Sequence, residues 1–185
     1  MRVIGGRAKG RRLQSPKGPG VRPTSDRVRE ALFNILSPRI AGCSFLDLCA
    51  GTGAVGIEAL SRGAESATFV EKDAKTASLI RKNLEATGLA DRAAVWVMDF
   101  RRALTELGRK GQRFDIVFVD PPYRLGQEDA ALTELAAGNL LVKGGLVVTE
   151  SDSSHLPAAE VENLFCWRRE KYGDTTLSFY RIKEA

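Results

Sequence analysis

Four consecutive residues near the middle of the chain, Asp120-Pro121-Pro122-Tyr123, carry groups that can hold a planar amine. They follow the apolar run 114–119, which has the composition of a buried strand. The two prolines fix φ at about −65° and lack N–H donors, so they predict a stiff loop. The Asp120 carboxylate and the Pro121 carbonyl can accept the two hydrogens of an exocyclic NH2 group, directing its lone pair toward an electrophile. Tyr123 can stack on the base that carries this amine.

A glycine-rich turn earlier in the chain predicts a cofactor site. The strand-like run 45–49 passes into Ala50-Gly51-Thr52-Gly53, and a helix-like run follows at once. Glycine lets the backbone approach a ligand closely, and free N–H groups at a helix start favour a phosphate or a carboxylate. Together with Glu71, about twenty residues further on, the turn also matches the dinucleotide fingerprint. The turn and this acid alone therefore leave a nicotinamide cofactor open.

Two further acids favour S-adenosylmethionine over a dinucleotide. Asp47 lies inside the first strand, where its carboxylate can face the ammonium group of a methionine moiety; a pyrophosphate would gain nothing from it. Asp99 follows the third predicted strand and can accept from an adenine amine, while Phe100 can cover the ring. These acids and Glu71 end successive strands at the edge where open α/β sheets bind ligands. The alternative is that Asp47 and Asp99 only cap helices.

Alternating strand-like and helix-like runs predict a parallel sheet. Strands are predicted at 44–49, 66–71, 93–98, 114–120 and 145–150, with helices between them at 55–62, 74–87, 101–110 and 128–137. Two further runs at 165–171 and 175–182 flank Tyr172-Gly173-Asp174 and predict a C-terminal antiparallel pair. The expected fold class is α/β: a Rossmann-like, mostly parallel seven-stranded sheet with helices on both faces, the architecture of class I methyltransferases.

Positive charge is concentrated at the start of the chain. Residues 1–40 hold ten Lys and Arg against two acids, whereas the remaining residues hold 18 Lys and Arg against 21 acids. This asymmetry favours a polyanion as partner, and nucleic acid is the first candidate. We predict a basic RNA-binding arm of strand fragments and loops over 1–23 and a catalytic domain over 24–185. The domain begins with an amphipathic helix that is expected to end near Ser37-Pro38, with Arg27 and Arg29 facing outward.

Three segments outside the turn and the tetrapeptide resemble a known family. They are Arg2-Val3-Ile4-Gly5-Gly6 with Gly10-Arg11 and Leu13, residues 22–36, and Tyr172-Gly173-Asp174-Thr175. With them, nearly the whole chain resembles the bacterial small-subunit ribosomal RNA (guanine-N2) methyltransferases of the RsmD type. The resemblance implies methyl transfer from S-adenosylmethionine to the N2 amine of a guanine in 16S ribosomal RNA, with S-adenosylhomocysteine as product. It also implies that the substrate is the assembled 30S subunit.

The resemblance further implies a role for each candidate residue. The target base is assigned to Asp120, Pro121, Pro122 and Tyr123. The cofactor is assigned to Asp47, Ala50, Gly51, Thr52, Gly53, Glu71, Lys72, Asp99 and Phe100. Ribosomal RNA is assigned to Arg7, Arg11, Arg12, Arg22, Thr24 and Arg27.

Three alternatives stay open at the level of sequence. The tetrapeptide and the glycine turn fit an enzyme that methylates adenine N6 in RNA or DNA equally well. A protein glutamine amide is handled by related Asn-Pro-Pro-Tyr loops, although Asp120 and the basic arm both favour a nucleic acid. A non-catalytic RNA-binding module is disfavoured because no part of the predicted site is missing.

Metal chemistry and membrane insertion are not expected. The three cysteines have no Cys-x-x-Cys spacing, and His155 lies in a polar stretch without a second histidine. We interpret the cysteines as small buried apolar residues and His155 as a solvated loop residue. No run approaches the roughly 18 apolar residues of a membrane span, so we predict a cytoplasmic protein. We also expect a monomer.

Overall fold

The computed structural model of the protein describes residues 1–18, 23–122 and 126–184, and contacts divide the chain into two units, Met1–Asp99 and Phe100–Ala185. In the first unit helices and strands alternate. They are α1 (Asp26–Ile40), β1 (Ser44–Leu48), α2 (Ala54–Ser61), β2 (Ser66–Glu71), α3 (Ala74–Thr87), a 3-10 turn (Ala90–Arg92) and β3 (Ala93–Val97). The strands are parallel in the order β3-β2-β1, so their carboxyl ends share one edge.

Helix α1 runs further than the sequence predicted. Ser25 caps its start by accepting a hydrogen bond from the Val28 N–H at 3.2 Å. The expected end near Ser37-Pro38 is wrong, because the helix passes through Pro38 and ends at Ile40. A proline in the last turn removes only one backbone hydrogen bond, and Ile40, 2% exposed, adds apolar burial that favours the longer helix.

The first residues of the chain form a folded hairpin rather than a loose arm. We call residues 1–14 the basic hairpin; Arg2 and Arg12 pair in an antiparallel bridge within it. Its buried side is apolar and contains Val3, Ala8 and Leu13. The sequence predicted strand fragments and loops here, and the structure shows one antiparallel bridge between turns.

Close contact with α2 requires glycine at position 6 of the basic hairpin. Gly6 has φ +75°, and a Cβ on it would lie 2.0 Å from the carbonyl oxygen of Ser61 in α2. Arg7 donates its backbone N–H to that same oxygen at 2.8 Å. Only glycine fits where the hairpin backbone meets the helix backbone this closely.

The second unit contains the predicted antiparallel C-terminal pair. Its elements are α4 (Phe100–Arg109), β4 (Phe114–Val119), α5 (Gln127–Ala137), β5 (Leu141–Asp152), β6 (Glu160–Val161), β7 (Leu164–Tyr172) and β8 (Thr175–Ile182). Strands β4 and β5 are parallel, and β5-β8, β8-β7 and β7-β6 pair antiparallel. The described residues thus hold eight strands, one more than predicted, because β6 is too short to leave a periodic pattern. The sequence also placed the start of β5 four residues too late.

Candidate cofactor and substrate site

The turn between β1 and α2 is built on left-handed backbone. Gly51 and Gly53 have φ of 57° and 78°, and Cys49 has φ of 62° although it carries a side chain. Two backbone hydrogen bonds fix the turn. Ala50 donates its N–H to the Val70 carbonyl of β2, and Gly53 donates its N–H to the Ala50 carbonyl, both at 2.8 Å. Gly53 caps α2 without a side chain. The backbone amides at this helix start can therefore face an anionic group of a ligand.

Asp47 is fixed to the start of α2. Its side chain is 2% exposed, and Oδ2 accepts the N–H of Gly56 at 2.9 Å. A Cβ on Gly56 would lie 2.4 Å from the ring of Phe69 and 3.2 Å from Asp47 Oδ2, so this glycine allows α2 to pack against β2. Asp47 thus orients the helix that follows the turn, and its contact with a methionine ammonium group stays a prediction.

Glu71, at the end of β2, lies beside the turn. Its Oε2 accepts the N–H of Gly51 at 2.9 Å, and its Oε1 accepts the N–H of Asp73 at 3.0 Å. Each carboxylate oxygen has a second lone pair with which it can accept a hydroxyl hydrogen of a ligand. Lys72, the next residue, is exposed.

Asp99 extends the same edge of the sheet. Val97, the last residue of β3, pairs with Glu71, and the Met98 N–H donates to the Glu71 carbonyl at 3.2 Å. Asp99 is exposed and lies two residues beyond that pairing. Phe100, 7% exposed, begins α4 in the second unit. Asp47 inside β1, Glu71 at the end of β2 and Asp99 just after β3 therefore lie near the carboxyl ends of three neighbouring parallel strands, as the sequence predicted.

Sequence reasoning missed Asn83, which joins the turn to the basic hairpin. This fully buried side chain of α3 donates from Nδ2 to the carbonyls of Thr52 and Gln14, both at 3.0 Å. Its Oδ1 accepts the Gln14 N–H at 2.7 Å. The signal was a polar amide on the apolar side of a helix, next to the buried residues Ile80 and Leu84.

We expect Asn83→Ala to lower the free energy of unfolding and to weaken cofactor binding, although Asn83 lies behind the turn. The substitution leaves the buried carbonyl of Thr52 without this donor, and each buried group that loses its partner costs about 1–3 kcal/mol. Denaturant unfolding and calorimetric titration with S-adenosylhomocysteine measure both effects. Lys82→Ala, at an exposed position of the same helix, is the control. Equal stability of the two variants would contradict this role of Asn83.

The predicted base-binding residues follow β4 in the second unit. Val119, the last residue of β4, pairs with Thr149 of β5, and the chain then passes into Asp120. Asp120 is half-buried, Pro121 is buried and Pro122 is exposed. Tyr123 lies outside the described residues.

The predicted RNA-binding residues differ in exposure. Arg7, Arg11, Arg12 and Arg27 are exposed, whereas Thr24 is 7% exposed. Arg7 also donates to the carbonyl of Gly88 at 3.4 Å. Arg22 lies outside the described residues. The basic hairpin therefore presents arginines to solvent from a folded backbone.

Arg29 is buried, so the prediction that it faces outward is wrong. Its guanidinium is fully buried, 3.0 Å from Asp26 and 3.8 Å from Glu58, and it donates to the carbonyl of Arg2. Burial lowers the pKa of Arg29, and the charges of Glu58 and Asp26 oppose that shift. The apolar stripe of α1 did not reveal this position, because the carboxylate and the carbonyl that meet Arg29 come from distant segments.

Glu58 of α2 is a second buried charge that the sequence did not single out. Its Oε2 accepts the N–H of Ile4 at 3.0 Å, and its Oε1 accepts the N–H of Gly5 at 2.9 Å. Oε1 also lies 2.9 Å from Nε of Arg62. This carboxylate, itself fully buried, therefore binds the basic hairpin and forms ion pairs with two arginines, Arg29 and Arg62.

Metal ligands and membrane spans are not found in the described part of the chain. No group of three or more His, Cys, Asp or Glu side chains in it is placed to hold a metal ion, and none of its helices is long and apolar enough to cross a membrane. His155 is exposed, as predicted. The prediction that the cysteines are buried is correct for Cys43 but wrong for Cys49 and Cys166, which are half-buried.

The chain is similar to known proteins along nearly its whole length. The family model described as Conserved hypothetical protein 95 matches residues 1–181. Ribosomal RNA small subunit methyltransferase D of Escherichia coli strain K12 is 44% identical over 152 residues, which cover 82% of this chain and 75% of that protein. A hypothetical protein of Thermus thermophilus has a solved structure with a TM-score of 0.81 and 36% identity, covering 100% of this chain and 99% of that one.

A more distant structure agrees in fold alone. It is an RNA methyltransferase from Salinibacter ruber in complex with S-adenosyl-L-homocysteine, with a TM-score of 0.69 and 18% identity, covering 89% of this chain and 95% of that one. The strand pattern and these similarities define a methyltransferase with the Rossmann-like fold, which confirms the predicted fold class. The chain belongs to the RsmD-type family of small-subunit ribosomal RNA methyltransferases.

Proposed function

We propose that the protein transfers a methyl group from S-adenosylmethionine to the exocyclic N2 amine of a guanine in 16S ribosomal RNA, acting on the assembled 30S subunit as a cytoplasmic monomer. The observation that carries this proposal is the 44% identity to Ribosomal RNA small subunit methyltransferase D, combined with an intact Asp120-Pro121-Pro122 after β4. The reaction uses no metal ion.

The residues of the first unit fit an S-adenosylmethionine site. A Cβ on Gly51 would meet nothing within 4 Å, so the space beside this left-handed residue is open to a ligand. The bound cofactor supplies an electrophilic methyl group on a positively charged sulfur. Glu71 accepts ribose hydroxyls, Asp99 accepts from the adenine amine, and Phe100 covers the ring. Asp47 faces the ammonium end, and the turn from Ala50 to Gly53, with Lys72 alongside Glu71, completes the site.

The tetrapeptide prepares the amine for attack. The exocyclic amine is a poor nucleophile because its lone pair is delocalised into the ring. The Asp120 carboxylate and the Pro121 carbonyl bind its two N–H groups and direct the lone pair toward the methyl carbon. Positive charge then develops on the nitrogen beside the Asp120 carboxylate, so this interaction strengthens in the transition state. Pro122 stiffens the loop, and Tyr123 stacks on the flipped base.

Glu71→Ala and Asp99→Ala are expected to weaken cofactor binding by about 1–3 kcal/mol each, because each substitution leaves a buried donor of the cofactor without an acceptor. Calorimetric titration of the protein with S-adenosylhomocysteine measures the change. Asp91→Ala, in the exposed 3-10 turn of the same unit, is the control. Unchanged affinity for S-adenosylhomocysteine in both variants would show that the two acids do not contact the cofactor and have only a structural role at the strand ends.

The basic segment over 1–23 is the proposed RNA-binding element, with Arg27 at the start of α1 beside it. Arg7, Arg11 and Arg12 contact phosphates from the exposed side of the folded hairpin, so little backbone entropy is lost on binding. Arg22 and Thr24 belong to the same predicted surface. This element distinguishes a nucleic-acid substrate from a protein amide.

Charge reversal in the hairpin tests the RNA substrate. Arg11→Glu with Arg12→Glu should weaken binding to purified small subunits and flatten the dependence of log affinity on log salt by about 1.4, at roughly 0.7 per lost phosphate contact. Cofactor affinity and thermal stability should stay close to the parent, because both side chains are exposed. Equal methylation of small subunits by the parent and this variant at moderate salt would show that RNA binds elsewhere. Methylation of adenine or of a protein amide would identify the alternatives.

A further inference from the structure

Helix α4 and the residues just after it carry positive charge that the proposed function does not use. Residues 101–113 hold five Lys and Arg against a single acid, Glu106. The five basic side chains are exposed; they are Arg101, Arg102, Arg109, Lys110 and Arg113. Without residues 101–113, the chain beyond residue 40 holds 13 Lys and Arg against 20 Asp and Glu. Residues 101–113 are therefore a basic segment in an otherwise acidic part of the chain.

The arginines of α4 lie on one side of the helix. The opposite side packs into the second unit and consists of Phe100, Ala103, Leu104 and Leu107. At about 100° per residue, Arg101, Arg102 and Arg109 fall within an arc of about 100° on the exposed side. Arg102 and Arg109 are separated by about 10 Å along the helix axis, at about 1.5 Å per residue, which is enough to meet more than one phosphate of a strand.

The charges at the start of α4 do not favour the helix itself. Arg101 and Arg102 lie in the first turn, where the positive end of the helix dipole disfavours cations, and that turn contains no acid. The Arg101 guanidinium stacks over the ring of Phe100, with 5.0 Å to the ring centroid. Arg109 pairs with Glu106 at 3.5 Å while its side chain remains 74% exposed. A stabilising role for the helix therefore explains Arg109 at its end but not Arg102 at its start.

We propose that the basic face of α4, formed by Arg101, Arg102 and Arg109, together with Lys110 and Arg113 just after the helix, is a second contact surface for the phosphates of ribosomal RNA. The inference rests on the RNA substrate proposed above and adds a surface in the second unit to the basic hairpin in the first. Contacts to backbone phosphates carry no sequence information. This surface therefore positions the RNA without selecting its sequence.

Charge reversal at two exposed positions tests the surface. Arg102→Glu with Arg109→Glu should flatten the log–log salt dependence of small-subunit binding by about 1.4, the change expected for about two lost phosphate contacts. Glutamate at position 102 improves the electrostatics of the helix start, whereas glutamate at position 109 replaces the partner of Glu106 near its end, so circular dichroism and thermal unfolding must first show that the variant keeps the parent's helix content. Lys143→Glu with Lys171→Glu, at exposed positions of the same unit, gives the same change in net charge and should keep the parent's salt dependence.

The outcomes separate this inference from the proposed function. Two surfaces are supported if the α4 variant flattens the dependence of log affinity for small subunits on log salt and keeps normal affinity for S-adenosylhomocysteine. Combining the α4 and hairpin substitutions in one protein should then flatten that dependence further. An α4 variant that binds like the parent, while the hairpin variant binds poorly, overturns the second surface and leaves the RNA substrate standing. Equal losses in the α4 variant and in the lysine control also overturn it. A parent protein that shows no salt-dependent binding to small subunits contradicts the proposed function itself.

Discussion

Replacing Asp120 by alanine is expected to lower the turnover of methyl transfer by about two to three orders of magnitude, the effect of removing one preorganised group that stabilises transition-state charge. Affinity for S-adenosylmethionine should stay nearly unchanged, because the carboxylate acts on the amine and on charge that appears during the reaction. Asp120→Asn should retain more activity than Asp120→Ala, since the amide keeps an acceptor oxygen and loses only the charge.

Single-turnover kinetics with purified small subunits, alongside calorimetry with the cofactor, separates chemistry from binding. Asp115→Ala, in the same strand β4, serves as the control for a lost carboxylate. Near-normal turnover of Asp120→Ala would show that the Asp120 carboxylate takes no part in methyl transfer.

Glu58→Ala should produce the largest loss of stability, about 3–5 kcal/mol, because it leaves the buried guanidinium of Arg29 without its partner in α2. The same substitution removes the acceptor for the N–H groups of Ile4 and Gly5, so the basic hairpin should detach from α2 before the rest of the first unit unfolds. Glu58→Gln should cost less, since it keeps an acceptor for the hairpin.

Equilibrium unfolding in denaturant, with hydrogen exchange of the hairpin amides, measures both effects. Glu85→Ala removes an exposed carboxylate from α3 in the same unit and should change stability little. If Glu58→Ala unfolds at the same denaturant concentration as Glu85→Ala, the buried network does not hold the hairpin.

The elements that sequence alone predicted well have strong local signals. Helix α3 was predicted with both ends correct, because Asp73 caps its start by accepting from the Thr76 N–H and the left-handed Gly88 ends it. Strands β2 and β8 were also predicted with their observed bounds, since each is an apolar run bounded by turn residues. The cofactor turn was found because glycine is needed where a Cβ would clash with neighbouring atoms. The structure confirms such a clash at Gly56, where a Cβ would lie 2.4 Å from the ring of Phe69.

The missed features depend on contacts between segments far apart in sequence. Arg29 is polar, so the helical pattern placed it outside, but the carboxylate of Glu58 and the carbonyl of Arg2 make its burial possible. Asn83 binds Gln14 and Thr52, which lie 69 and 31 residues away. The position of Asn83 on the apolar side of α3 marked it as unusual, but nothing in the sequence near Arg29 or Asn83 identified their partners. The basic segment was therefore predicted as an arm, whereas the structure shows a hairpin docked on α2 and α3.

The docked hairpin links the RNA proposal to the cofactor turn in physical terms. Asn83 contacts both Gln14 of the hairpin and Thr52 of the turn, so disturbing one segment alters a hydrogen bond to the other. RNA bound to the arginines of the hairpin would therefore act on a segment that shares a buried side chain with the turn.

Mass spectrometry of nucleosides from small-subunit RNA tests the central claim most directly. The gene is deleted, small subunits are purified from that strain, and the protein is added back with S-adenosylmethionine. We expect one N2-methylguanosine to be missing from the deletion strain, to return with the parent protein and not to return with Asp120→Ala. Small-subunit RNA with unchanged N2-methylguanosine in the deletion strain, or a methyl group that appears on adenosine or on a ribosomal protein instead, would contradict it.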